Sequence, residues 1–238
     1  MAAWLQAPTA YCGAAPRPGE LSWNAEPLLL LTLAAVLILL WRWARPGSRL
    51  GWVLLALLLA SPLCHLSVAL FSARAGQHLA ILLLAAPLIA HGLPRLVRPG
   101  LPVATALLAL VLWGWQLPSA YALTFASHLG YWAMQLSLIG AALWFWAALL
   151  AEGARRPDLV ALAGIVTAAH TGMLGALLTL APRPLYAIHE LTAAPWGLTA
   201  LEDQQLGGLL MWVPGGLILA AALAVAMAQA LRASEAKS

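Results

Sequence analysis

Imidazole and sulfur are the side chains with the most chemistry to offer in this sequence. Cys12, Cys64, His65, His78, His128, His170, Met173, His189 and Met211 recur along the 238 residues. Neutral imidazole with cysteine and methionine sulfur is the ligand set that soft Cu(I) prefers, whereas oxygen-rich sets suit magnesium or calcium. His170 and Met173 are three apart and share a face of any helix they occupy. A plainer reading stands beside that one, in which His170 bonds a neighbouring carbonyl and Met173 packs. His78 lies just inside an apolar run, where a polar ring is expensive; its plainer role is to donate to a backbone group. His189 and Glu190 fall in a loop, where an exposed polar pair is commonplace. Cys12 and Cys64 are the two cysteines of the chain. They read as a disulfide, a redox-active pair, two thiolate ligands or two unrelated thiols, and they are too few for a dense disulfide framework.

What must position these residues is a membrane. Of the chain, 63% is hydrophobic and 8% charged, against roughly a quarter charged in a soluble domain. Apolar runs recur, each near the roughly 20 residues that cross a hydrocarbon core as helix. They read as Pro27–Trp43, Leu50–Phe71 with a kink or early exit at Ser61-Pro62, Gln77–Leu93, Val103–Leu117, Tyr131–Leu150, Leu159–Leu180 and Leu206–Leu231. The expected fold is therefore all-α, a polytopic transmembrane bundle of about seven spans. Residues 1–26 form an N-terminal tail without the basic and apolar regions of a secretory signal, residues 27–231 the membrane domain and residues 232–238 a short C-terminal tail.

Orientation follows from Lys and Arg, which accumulate on the cytoplasmic side. With the N-terminus outside, nine of the twelve fall inside, namely Arg42, Arg45, Arg49, Arg95, Arg98, Arg155, Arg156, Arg232 and Lys237. Arg17, Arg74 and Arg183 fall outside, and the C-terminus is cytoplasmic. A net charge of +4 then reflects topology and gives no reason to invoke nucleic acid. Five of the six histidines lie toward the outer face, His91 being the exception, so an outward-facing polar pocket is expected. Most tryptophans sit near run ends, as interface residues do. Gly164, Ala168, Gly172 and Ala176 make a small-residue stripe suited to close helix packing.

Arg74 stands at the outer start of the third run, where it anchors to lipid headgroups or takes Glu202 or Asp203 as partner. Glu202 and Asp203 open the seventh run, where acidic residues suit a helix N-terminus. Capping does not account for Gln204, Gln205, Met211 and the Pro214-Gly215-Gly216 break lying together; they make that half of the helix polar and deformable.

At these residues the chain resembles the polytopic CtaG-like cytochrome c oxidase assembly factors, a bacterial inner-membrane family. The resemblance rests on Leu201-Glu-Asp-Gln-Gln-Leu-Gly-Gly-Leu-Leu-Met-Trp-Val-Pro-Gly-Gly-Leu217, on Leu174-Gly-Ala-Leu-Leu-Thr-Leu-Ala-Pro-Arg-Pro-Leu-Tyr186 and on Ser61-Pro-Leu-Cys-His-Leu-Ser-Val-Ala-Leu-Phe-Ser-Ala-Arg-Ala-Gly-Gln-His78. Tyr11-Cys-Gly13, Ala85-Ala-Pro-Leu88 and Leu143-Trp-Phe-Trp146 add to it. It implies a non-catalytic partner of cytochrome c oxidase subunits that helps copper, as Cu(I), reach a haem-copper oxidase. Similar chains carry Phe-Ser-Ala-His-Met-x-Gln-His where this one has Arg74 and Ala75 before Gln77 and His78, and often histidine at the position of Gln135. A site built on that pattern has fewer ligands here or different ones.

Transport of copper or another solute is the competing class, but no internal repeat is apparent and no Asp or Glu lies within the runs. No haem is expected, because His78 and His91 lie toward opposite membrane faces. Contact with membrane lipid is implied throughout, and a homo-oligomer is left open.

Overall fold

Proline and small polar side chains set where the helices begin. In a computed structural model that describes residues 10–92, 100–153, 155–213, 216, 217 and 224, Pro27, Pro46, Pro62, Pro118 and Pro157 each open a helix. The missing N–H costs nothing at that position and the fixed φ suits the first turn. The helices are α1 (Pro27–Trp43), α2 (Pro46–Ala60), α3 (Pro62–Ala69), α4 (Phe71–Ala80), α5 (Ala86–Gly92), α6 (Leu101–Gln116), α7 (Pro118–Ala126), α8 (His128–Glu152), α9 (Pro157–Leu180) and α10 (Ala200–Trp212). A π-helical turn, Ile81–Ala85, joins α4 to α5, and no strand occurs among the described residues. Glu26 caps α1 by accepting from Leu28 N–H at 3.1 Å and Leu29 N–H at 2.6 Å. Ser127 caps α8, and Thr199 with Glu202 forms a reciprocal capping box on α10.

Phe71–Gly92, His128–Glu152 and Pro157–Leu180 are long and apolar enough to cross a membrane, giving three candidate spans among the described residues, or five if the bent pairs α2/α3 (48°) and α6/α7 (74°) each count as one. Pro27–Arg42 is a shorter apolar helix. Leu28, Leu110, Leu129, Leu162, Ile165 and Leu180 are exposed, a surface made for lipid. The bend at Ser61-Pro62 falls where the sequence places it. The one at Leu117-Pro118 does not: the chain past the fourth run continues as α7, because Pro118 turns the helix instead of ending it. The helix of the third run, α4, begins at Phe71, six residues before the expected start, and that of the fifth run, α8, at His128.

The core gathers where α4, α6, α7, α8, α9 and α10 meet, around Phe71, Leu108, Tyr121, Met134, Phe145 and Leu178. α10 packs on α4 and α9, while α8 packs on α5, α6 and α7; α1 leans chiefly on α2. α9 and α10 approach closely, since a Cβ on Gly208 would stand 2.6 Å from the Gly175 carbonyl oxygen. Contact thus falls beside the Gly164–Ala176 stripe, at Gly175. The basic loop with Arg95 and Arg98, Pro214-Gly215 of the break, most of the seventh run past Val213 and the 232–238 tail lie outside the described residues, as does the tail through residue 9.

Candidate functional site

At the end of the bundle that carries the N-terminal tail, two side chains of opposite type are buried close together and do not pair. Asp203, in the first turn of α10, is fully buried. It accepts from Phe71 N–H at 2.6 Å, Ser72 N–H at 3.0 Å and the Ser72 hydroxyl at 2.5 Å. Leu70 precedes α4 and offers no side-chain cap, so Asp203 caps α4 from another helix. This corrects the expectation that Asp203 caps its own helix. Glu202 does that together with Thr199, whose amide and hydroxyl hold the Glu202 carboxyl below the usual range.

Arg74, one turn into α4, is 2% exposed, so it anchors to no headgroup, and neither Glu202 nor Asp203 pairs with it. Among the described residues, Arg156 with Asp158 forms the one ion pair. The Arg74 Nη1 donates to Thr124 Oγ1 at 2.6 Å, and its Nε has no partner. The guanidinium lies over the rings of Phe125 (4.0 Å) and Tyr121 (5.1 Å), both supplied by the unforeseen helix α7. Cation–π contact offsets part of the cost of burial.

His78 follows Arg74 at i+4, on the same face, and its Nε2 is buried without a partner. Together with Arg74, Trp115, Gln116, Tyr121 and Met134 it lines a cavity of about 10 Å³, room for about one water. Two further buried acceptors nearby in sequence are unmatched, Gln77 Oε1 and Gln135 Oε1.

His189 is also buried. Its Nδ1 lies 3.0 Å from the Ala69 carbonyl oxygen, which only accepts, so Nδ1 carries the proton; Nε2 then accepts from the Tyr121 hydroxyl at 2.8 Å. Burial, reinforced by Arg74, pushes its pKa down to about 3. The ring is therefore neutral at physiological pH, with both nitrogens engaged.

Cys12 and Cys64 form a disulfide, so they are not two unrelated thiols, and while bonded they are not two thiolate ligands. The Tyr131 hydroxyl sits 3.5 Å from one sulfur and 3.6 Å from the other and accepts from Gln135 Nε2 at 3.0 Å. Tyr11 stacks on Tyr131, His65 Nε2 donates to the Ala14 carbonyl at 2.8 Å, and Trp196 donates to the Pro16 carbonyl at 3.0 Å. The tail is thereby strapped across the mouth of the bundle.

The remaining sequence-derived residues lie apart from this cluster. Met173 is 54% exposed on α9; His170, one turn earlier, has neither ring nitrogen partnered. Met211 faces a separate apolar crevice with Leu79, Phe145 and Thr167. Gln204 clamps α10 to what precedes it, donating to the Leu178 carbonyl at 3.1 Å and accepting from Leu185 N–H at 2.7 Å. The backbone carbonyl of Gln205 lies 3.5 Å from Thr179 Oγ1. Tyr121, Thr124, Tyr131 and Met134 are site residues that the sequence reading passed over. The one local signal was Tyr131, Met134 and Gln135 recurring at helical spacing in an otherwise apolar run.

No group of three His, Cys, Asp or Glu able to hold a metal ion occurs among the described residues. His78 and Met134 share a cavity wall, but Arg74 shares it too, and its positive charge opposes a resident cation. The two thiols are bonded to each other.

A family model for the cytochrome c oxidase caa3 assembly factor matches residues 96–233. That span covers α6 to α10 and so includes Tyr121, Met134, His189 and Asp203; Arg74, His78 and both cysteines precede it. No curated protein and no solved structure matches the chain.

Proposed function

The chain belongs to the cytochrome c oxidase caa3 assembly factor family, and from that premise we propose that it assists copper delivery or insertion into a haem-copper oxidase, acting from the periplasmic face of the bacterial inner membrane without catalysing a reaction. Seven spans carry it, α1 and the α10 run completing the five candidates, with the N-terminus outside. The distribution of Lys and Arg supports that orientation, as does the disulfide at the tail end, since disulfides persist in oxidising compartments.

The observation that carries the copper reading is His78, whose Nε2 is buried without a partner and whose side chain lines a small cavity walled also by Met134. Imidazole and thioether suit Cu(I). His189 is engaged at both nitrogens and Met173 faces outward, so His78 with Met134 is the pair best placed to touch the metal. Arg74 beside them lowers affinity for any cation, which suits a protein that passes copper on and does not store it. Copper here is cargo, and oxidase subunits are the partners.

The test is copper analysis of oxidase purified from cells that lack this chain. Oxidase copper is expected to fall, to return with the wild-type chain and to return only partly with His78→Ala. Fully metallated oxidase in the deletion strain defeats the assembly reading. Full recovery with His78→Ala removes His78 from the copper path and leaves the family role standing.

A further inference from the structure

Between α1, α2 and α8 lies a groove of about 750 Å³, lined by Leu28, Leu29, Thr32, Leu33, Trp52, Leu55, Leu59, His128, Trp132, Leu136 and Ile139, with Tyr11 and Glu26 at its rim. It is separate from the Arg74–His78 cavity. α1 leans chiefly on α2, so the side toward α8 is left apolar and open: Leu28 and Leu136 are 71% and 62% exposed. Within its wall the Trp52 indole of α2 donates to the Leu33 carbonyl of α1 at 2.8 Å.

Depth and one charge point to the occupant. From His128 to Ile139 the groove descends about 16 Å at 1.5 Å per residue, close to one leaflet of a hydrocarbon core roughly 30 Å thick. That depth suits an acyl chain of a single leaflet, and exposed Leu28 and Leu136 leave the groove open to the hydrocarbon. The rim belongs to the headgroup level, since α1 and α8 both start there.

At that rim Glu26 keeps negative charge. The amides of Leu29 and Leu28, with the Tyr11 hydroxyl and His128 beside it, hold its carboxyl below the usual range; Oε2 takes the Leu29 amide and the Tyr11 hydroxyl, and Oε1 takes the Leu28 amide. Around it Tyr11 meets His128 and Trp132 edge to face, at 5.4 and 5.0 Å. A carboxylate beside aromatic rings recognises an ammonium group, while a headgroup of purely negative charge meets Glu26 with like sign.

We infer that this groove binds one phospholipid of the tail-side leaflet, its acyl chain between α1 and α8 and a primary ammonium headgroup on Glu26 and the rings of Tyr11 and Trp132. The lipid fills the gap that leaves α1 without a second neighbour. The same rim holds Tyr11 beside the Cys12–Cys64 bond, so the occupant also supports the strap.

The test uses full-length chain in nanodiscs of equal phosphatidylethanolamine and phosphatidylglycerol, extracted into mild detergent and weighed by native mass spectrometry. One retained lipid per chain is expected, with phosphatidylethanolamine favoured about threefold to tenfold, the range that one ion pair plus one cation–π contact gives. Glu26→Gln should retain the lipid and lose the preference. Leu136→Trp should fill the groove and release the lipid, with the intact disulfide and unchanged helicity reporting that the protein is folded; Thr32→Trp serves from the α1 side if it is not. Wild type without retained lipid, equal retention of both headgroups, or undiminished retention in a folded groove-filling variant overturns the inference.

Discussion

Asp203 and Arg74 sit at the same end of the bundle, both buried, and their surroundings differ in kind. Asp203 has three donors from the start of α4, including both backbone amides that a helix of its own could not satisfy. Arg74 has one hydrogen bond, two ring faces and a cavity. The difference separates a side chain that builds the fold from one that the fold tolerates. Removing Asp203 should therefore give the largest effect in the molecule. Asp203→Ala strands the Phe71 and Ser72 donors away from water, at about 1–3 kcal/mol for each unmet group, for a loss of about 3–5 kcal/mol after local adjustment. Thermal unfolding in detergent, followed by circular dichroism, reads it; Asp203→Asn, which keeps one acceptor oxygen, should recover part of the loss. A drop under about 1 kcal/mol in the alanine variant would mean that α4 is capped in some other way.

His189 belongs with Asp203 on the structural side, and pH separates it from the rest. Its folded pKa of about 3 lies below the roughly 6.5 of an unfolded histidine. The unfolded chain thus binds a proton that the folded chain refuses between those values. The stability linked to this ring is complete above about pH 6.5 and declines as pH falls toward 3, by at most about 1.4 kcal/mol per pH unit. His189→Phe should flatten that part of the stability profile, and an unchanged slope would place the titrating group elsewhere.

How far these surroundings were legible in the sequence depends on whether the cause was local. Apolar run length and the acidic residues that open the seventh run act within a few residues, and they were enough to place most of the long helices in order. The cap on α4 comes from a residue more than a hundred positions away, so the sequence placed the start of that helix at Gln77 and left Arg74 outside it, free for lipid. The same distance hid α7, whose apolar length is too short to read as a span and whose Tyr121, Thr124 and Phe125 become meaningful only once Arg74 needs neighbours. His78 was singled out because a ring inside an apolar run is costly wherever it ends up. Met134 had no such mark, since a thioether in lipid is ordinary.

The smallest effect should come from Arg74 itself, and it sharpens the comparison most. A buried ionic side chain with few hydrogen bonds contributes little net stability, and replacing it with an apolar residue of similar volume is often neutral or favourable. Methionine keeps the unbranched stem that lies on Phe125 and Tyr121 and deletes the charge. Arg74→Met should shift unfolding by less than about 1 kcal/mol, in either direction, while Arg74→Ala, which opens a void, should cost more. If Arg74→Met instead destabilises as strongly as Asp203→Ala, the guanidinium must hold acceptors as firmly as Asp203 holds donors. The contrast between a builder and a tolerated charge would then fail, and with it the argument that Arg74 lowers cation affinity beside His78.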